Sequence, residues 1–349
     1  MKLSTIGEFG LIERLSGLLR SRADGLLLHG IGDDAAAWRQ SPDRLMTATT
    51  DSLVEGVHFD LNTTTWRDLG WKALAENLSD IAAMGCEPRY ALVGLGLPRD
   101  TAVADVEELY AGMQECAEAF GCSVVGGDTV SAPAVFVHVT VLGESIPITG
   151  QDEPLLTRSA ARPGDVLAVT GPLGGSAAGL ALLQLEGTAN PPAQPAELLQ
   201  AHRRPVPRVT AGLTLVRSGV RCGIDVSDGL LADVGHICDC SGVDAEIDLA
   251  RVPIHPRALD HFGEAAVEMA LGGGEDYELA CAGPEALIAD ASARLQAQGE
   301  PPLTVIGSIT ARIGDAPEVR IRMADGGVAA PRTRGYEHFG KEHGHPRRD

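Results

Sequence analysis

Apolar residues recur at helical spacing over residues 9–22 (FGLIERLSGLLRSR), with Leu11, Leu15, Leu18 and Leu19 on one side, and predict a first helix. Thr65 can cap the run that follows it, so a second helix is expected over 66–83. The apolar stretch 90–97 (YALVGLGL) predicts a buried strand, 102–120 a helix, and the Val- and Thr-rich 135–142 (VFVHVTVL) another strand. Residues 145–154 (SIPITGQDEP) are polar and turn-rich, which divides the chain into domains at 1–148 and 149–340. Beyond them the pattern predicts a strand at 165–170, a small-residue helix at 174–186, strands at 276–281 and 303–309, and a helix over 284–298 between these two. Pro191, Pro192, Pro195 and Pro205 make 186–205 a surface excursion. From 337 the chain is polar, and 341–349 is expected to be a disordered tail in which His338, His343 and His345 are simply solvated or stand beside it. Strands and helices alternate in both halves, giving an α/β (α+β) protein of two domains.

Composition narrows the chemistry. The 349 residues carry 28 Lys+Arg against 48 Asp+Glu, a net charge of −20, which argues against a nucleic-acid partner. No apolar run is long enough to span a membrane, and Glu8 and Glu13 interrupt the N-terminal one, so a cytoplasmic protein is expected. Seven cysteines without a CxxC pair fit neither a zinc finger nor a disulfide framework. The only lysines are Lys2, Lys72 and Lys341, none in a GxxxxGK[ST] frame, so phosphate would have to be handled without a P-loop.

The acidic residues sit in distinctive settings: GIGDDAA (30–36), TTD (49–51), NLSDIAAMG (77–85), GGDT (126–129), DVSDGL (225–230) and GGGEDYEL (272–279). Asp beside Gly is a common turn residue, and Asp after Ser or Thr is a common helix cap. Six such clusters also suit a hard divalent cation, which takes oxygens from several loops. An acidic protein repels a polyphosphate, and divalent ions bridging carboxylate to phosphate reverse that sign. Arginine, 25 of the 28 basic residues, can supply other positive contacts. TGPLGGSAAG (170–179) passes from strand to helix and could either cradle an anion or allow tight packing. Lys72, Glu76 and Asp80 recur at i, i+4, i+8, which reads as a salt-bridged surface with Lys72 unassigned.

These motifs, with TTDSLVEGVHF and TRSAARPGD, occur in an order that resembles the thiamine-monophosphate kinases over about residues 4 to 340. Relatives of that family include aminoimidazole-ribonucleotide synthetase and selenophosphate synthetase. The resemblance implies an AIR-synthetase-like fold, an N-terminal domain that pairs in a homodimer, and ATP-dependent conversion of thiamine phosphate to thiamine diphosphate with several Mg²⁺ ions. It implies metal ligands at Asp33, Thr49, Thr50, Asp51, Asp80, Asp128, Asp225 and Asp228, with Asp34 less secure. It implies ATP contacts at Tyr110, Gly127, Asp128, Arg158 and Ser227, and places thiamine phosphate against His58, Glu275 and Tyr336. Arg162 stands where the family pattern has a lysine.

The acceptor would be a phosphate monoester, already mostly ionised at neutral pH with a second pKa near 6, so no general base is expected. Alignment and charge neutralisation would carry direct in-line transfer. The first cysteine, Cys86, lies outside any Gly-rich N-terminal segment, unlike the reactive residue of a selenophosphate synthetase. A non-catalytic nucleotide-binding protein and a metal-dependent phosphatase of the same fold are the alternatives.

Overall fold

The computed structural model describes residues 1–21, 25–31, 35–186, 195–323, 325 and 327–329. Its first half runs α1 (Leu3–Leu18), β1 (Leu27–His29), β2 (Ala37–Trp38), β3 (Met46–Val54), α2 (Trp66–Ala83), β4 (Glu87–Leu97), α3 (Val103–Phe120), β5 (Ser123–Ser131) and β6 (Phe136–Glu144). The second half begins with β7 (Val166–Val169), α4 (Gly175–Glu186), α5 (Ala196–Arg203), α6 (Val209–Arg217), β8 (Cys222–Asp225) and α7 (Leu230–Ser241). It continues with β9 (Val243–Asp248), α8 (Pro256–Phe262), α9 (Ala265–Gly272), β10 (Leu279–Gly283), α10 (Glu285–Ala297), β11 (Thr304–Ala311), β12 (Val319–Arg322) and β13 (Val328–Ala329).

Each half builds its own sheet. The first has four strands in the order β3-β6-β4-β5, with β4 and β5 parallel and joined through α3. The second has seven, in the order β13-β12-β9-β11-β7-β10-β8. Among the described residues no helix is long and apolar enough to cross a membrane.

Helix α2 joins the two halves. Thr65 accepts the Asp68 N–H at 3.1 Å and donates to the Asp68 carboxylate at 2.8 Å, closing the helix's N-terminal turn. Leu69, Leu74, Leu78 and Ile81 pack into the first core with Leu95, Val106, Leu109, Met113 and Val139. Gly70 and Gly112 let α2 and α3 touch backbone to backbone. A Cβ on Gly70 would lie 1.8 Å from the Leu109 carbonyl oxygen, and one on Gly112 1.8 Å from that of Arg67. The end of α2 belongs to another apolar cluster, where Ala82 and Ala83 meet Leu215, Val216, Leu279 and Ile288 of the second half.

Three expectations need correction. The first helix is Leu3–Leu18, broken at Gly7 (φ 68°), and stops before residue 20. The strand expected at 276–281 begins only at Leu279, because Glu275 (φ 66°) and Tyr277 (φ 51°) adopt left-handed backbone that cannot continue a ladder. Within the expected surface excursion, α5 is a helix whose Leu198 and His202 are buried against the rest of the second half and the seam. Asp33, Asp34, Tyr336 and the tail from 337 lie outside the described residues.

Candidate active site at the seam between the halves

The acidic motifs converge where α2 crosses from one half to the other. Thr49 on β3 hydrogen-bonds the Asp80 carboxylate on α2. Ser79, the next residue back, donates to Asp225 at the end of β8 at 2.8 Å. Asp51, two residues from Thr49 and on the same face of β3, lies close enough to Asp80 for the two charges to repel. A cleft of about 460 Å³ opens there, lined among others by Thr49, Asp80, Thr157, Arg158, Gly223 and Cys240.

The electrostatics are those of crowded carboxylates. Burial and the Asp80 charge push Asp51 up to about 6. Burial, then Asp80, push Asp225 up to about 7, against the hydrogen bond from Ser79 and the charge of Arg158. Asp80 is itself raised by burial and eased by Thr49 and Arg158. Asp51, Asp80 and Asp225 remain insufficiently paired by protein cations, which is the environment a bound cation relieves. Below them, Asp228, Asp233 and His236 bring one ligand atom each within 4.8 Å of one another. Asp233 also accepts the N–H groups of Ser227, Asp228 and Gly229, each at 3.1 Å, and so shapes the DVSDGL loop.

A second polar group flanks this cluster on α2. Lys72 is buried and meets Glu275 at 2.9 Å, with His202 of α5 at 3.3 Å from the same oxygen. The Lys72 charge and the contact with His202 outweigh burial and hold Glu275 well below the usual carboxylate range, while burial and Lys72 keep His202 itself below its ordinary value. Glu76, one turn on, is pushed up to about 8, mainly by burial, and its Oε1 has no hydrogen-bond partner. The face 72–76–80 is therefore an interior seam, contrary to the solvated surface its spacing suggested. The end of α5 straps the halves together. Arg203 donates to the Thr63 carbonyl at 2.7 Å, Trp71 donates to that of Pro205 at 2.7 Å, and Arg204 stacks on Trp71.

The other sequence candidates are distributed unevenly. Arg158 borders the cleft, its carbonyl accepting from Ser241 at 2.7 Å. Ser227 lies in the loop beside Asp228, and its carbonyl accepts the Glu275 N–H at 2.8 Å. His58 follows β3 in a turn, where its Nδ1 accepts the Val54 N–H at 3.0 Å, so the neutral ring carries its proton on Nε2. Thr50 is separated from the cluster by the direction of its side chain. Strand alternation turns it to the opposite face, where it bonds His138 and Thr140. Tyr110 lies on α3 within the first core, 6% exposed, and does not join the cluster.

Gly127 and Asp128 do not join the cluster within this chain. They lie on β5, one edge of the sheet, whereas Asp51 lies on β3, the other edge. Register runs Asp51–Val139–Val93–Gly127 across the sheet, three strand spacings or about 14 Å. Asp128 pairs with Gly94 in the neighbouring row, on the face away from α2, and is exposed. Gly127 is required by close approach, since a Cβ would lie 1.9 Å from the Val93 carbonyl oxygen.

The glycine-rich turn before α4 already holds a carboxyl group of the chain, Asp276, which burial pushes up to about 7 against the N–H groups that it accepts. Asp276 accepts the N–H groups of Gly174 at 2.6 Å and Ser176 at 3.0 Å. The helix N-terminus is thus capped by a carboxyl group of the GGGEDYEL motif, and no external anion is needed there. Asp276, Asp233, Glu76, His202 and Ser79 were not singled out for the site. Only Asp276 and Ser79 lie inside a quoted motif, where their neighbours drew the attention.

The donor set of the central cluster is entirely oxygen, from Asp51, Asp80, Asp225 and the Thr49 hydroxyl, which fits a hard ion such as Mg²⁺ and not a soft metal.

The two halves correspond to the two domains of the AIR synthase related proteins. Residues 32–145 match the model of the AIR synthase related protein N-terminal domain, and 162–319 that of its C-terminal domain. The thiamine-monophosphate kinase of Escherichia coli K12 is 38% identical over 338 residues, 95% of this chain and 98% of the relative. The crystal structure of thiamine-monophosphate kinase from Stenotrophomonas maltophilia K279a aligns with a TM-score of 0.78 at 36% identity, over 90% of this chain and 96% of that one. AaThiL complexed with AMPPCP and TMP aligns with a TM-score of 0.73 at 32% identity, over 97% of this chain and 99% of that one. The chain belongs to the thiamine-monophosphate kinase family.

Proposed function

We infer that this chain phosphorylates thiamine phosphate to thiamine diphosphate, with ATP as phosphoryl donor. The observation that carries the reading is the convergence of Asp51, Asp80 and Asp225 from both halves beside Arg158. Such a cluster repels phosphates unless cations intervene. Asp51, Asp80, Asp225, Asp228 and Thr49 would hold Mg²⁺ there, with Asp33 as a further ligand from the sequence motif. Bound in this way, the ions would neutralise the triphosphate and the acceptor phosphate.

The chain's own residues do the rest. Arg158, exposed at the cleft rim, offers a guanidinium to the donor phosphates. Ser227 lies at the donor end, beside the turn that Asp233 shapes. Glu275, kept ionised chiefly by Lys72, complements the cationic thiazolium, and His58 would contact the acceptor, with Tyr336 as a further contact from the sequence motif. The acceptor phosphate is ionised at neutral pH, so the site needs alignment more than proton removal.

Residues 1–148 serve as the ATP- and Mg-binding, dimer-forming domain and 149–340 as the second, in a cytoplasmic homodimer. In that dimer a second copy lays its β5 edge along the open β3 edge, bringing Gly127 and Asp128 to the site of the first. Two-fold symmetry repeats the contact and leaves neither sheet edge open. The reading is tested by ADP release. It should depend on thiamine phosphate and stop when that acceptor is omitted. Acceptor-independent phosphate release would make the protein a phosphatase, and ATP binding without turnover a silent module.

A further inference from the structure

Glu275 stands between a lysine and a histidine that reach it from different parts of the fold. Lys72 Nζ comes from α2 of the first half at 2.9 Å, and His202 Nδ1 from α5 of the second at 3.3 Å, both to Oε2. The Lys72 and His202 side chains are 3% and 7% exposed, while that of Glu275 is 28% exposed. Glu275 is thus the one member of the trio with appreciable exposed side-chain surface. Ser176 Oγ lies 3.0 Å from the same His202 nitrogen, so Nδ1 is shared between the hydroxyl and the carboxylate. The backbone is held as firmly. Glu275 N–H donates to Ser227 at 2.8 Å and Tyr277 N–H to Val226 at 2.9 Å, with both residues in left-handed conformation.

A buried ion pair is a poor device for stability alone, because apolar residues of the same size usually do as well. Strained backbone and buried charge retained together at the edge of a site serve placement. We propose that Lys72 and His202 are positioning residues for the acceptor substrate. They pin Oε2 of Glu275 from both sides of the seam and present its other oxygen to the substrate cation. The geometry of the acceptor pocket is then set by the fit between the two halves. The proposal rests on the reading of Glu275 as an acceptor ligand.

The test compares Lys72→Met, His202→Ala, His202→Asn and Glu275→Gln in the full-length enzyme, with KM measured separately for thiamine phosphate and ATP. Loss of one charge-assisted contact should raise the acceptor KM about tenfold in Lys72→Met and His202→Ala. The ATP KM should stay unchanged. His202→Asn, which keeps an N–H donor near the Nδ1 position, should stay close to the parent enzyme. Lys72→Met should add nothing once Glu275 is already Gln. If Lys72→Met fails to fold, His202→Ala, which leaves the Lys72–Glu275 pair in place, carries the same test. The proposal is overturned if Glu275→Gln raises the acceptor KM while the other variants do not, or if they move both KM values alike. An unchanged acceptor KM in Glu275→Gln itself would instead remove the reading on which it rests.

Discussion

Ser79 of α2 donates a 2.8 Å hydrogen bond to Asp225 of β8, joining residues 146 positions apart across the seam. That bond sets the rotation of α2 against the second sheet. The adjacent Asp80 therefore meets Thr49 and stands near Asp51 from the first sheet, with Asp225 on its other side.

Asp80 interacts with Asp51 on one side and Asp225 on the other, so its loss should be felt by the whole cluster. Asp80→Asn is expected to lower kcat by about 10²-fold or more, as when a key electrostatic contact to a transition state is lost. Circular dichroism should be unaltered. Near-normal turnover at saturating Mg²⁺ would remove Asp80 from the metal site.

Asp51 and Asp128 occupy opposite edges of one sheet, and this makes their partnership testable by mixing. Asp51→Asn and Asp128→Asn should each be inactive alone. Co-expressed, a mixed dimer carries both defects in one site and none in the other, so about one site in two regains activity. Absence of recovery in purified mixed dimers would mean that Asp128 acts within its own chain or not at all.

Glu76 is a buried acid whose folded pKa, about 8, lies above its ordinary value of 4.5. Between those values the folded protein keeps a proton that the unfolded chain has lost, so stability falls as pH rises through that window. Glu76→Gln should abolish this loss and gain on the order of 4 kcal/mol by about pH 8, with little gain at about pH 5. Denaturant titrations at the two pH values check it. An equal gain at both would contradict the assignment.

At the raised carboxyls of Asp51 and Asp225, about 6 and about 7, protons compete with a cation for the same oxygens. A cation favours their charged forms, so its binding should release protons and tighten as pH rises from about 5.5 to about 7.5. Calorimetry with Mg²⁺ in buffers of different ionisation enthalpy measures the release. Binding that is independent of pH and buffer would show that these two acids are not the ligands.

The elements that the sequence reveals best are those with one unambiguous period. Helix α2 begins after Thr65 and ends at Ala83 as its pattern predicts, and α3 is displaced by only one residue at its start. Between 206 and 275 the helices are short, from seven to twelve residues, too few turns for periodicity to assert itself. The site divides along similar lines. Asp51, Asp80 and Asp225 were visible because each stands in a Gly- or Thr-marked motif. Lys72, Glu76 and His202 were not, since the helical spacing that makes a salt-bridged surface also makes a buried seam. Only the packing of α5 and the GGGEDYEL turn against α2 distinguishes the two. Asp128 shows the reverse limit. Its motif is plain, but its distance from Asp51 follows from strand order, which no local pattern encodes.

Phosphorus-31 NMR of the protein with ATP, Mg²⁺ and thiamine phosphate tests the central claim most directly. The account predicts that the monoester resonance of thiamine phosphate gives way to the paired resonances of a diphosphate ester as ADP appears. None of this should occur without thiamine phosphate. Inorganic phosphate accumulating while the acceptor's resonance persists would contradict it.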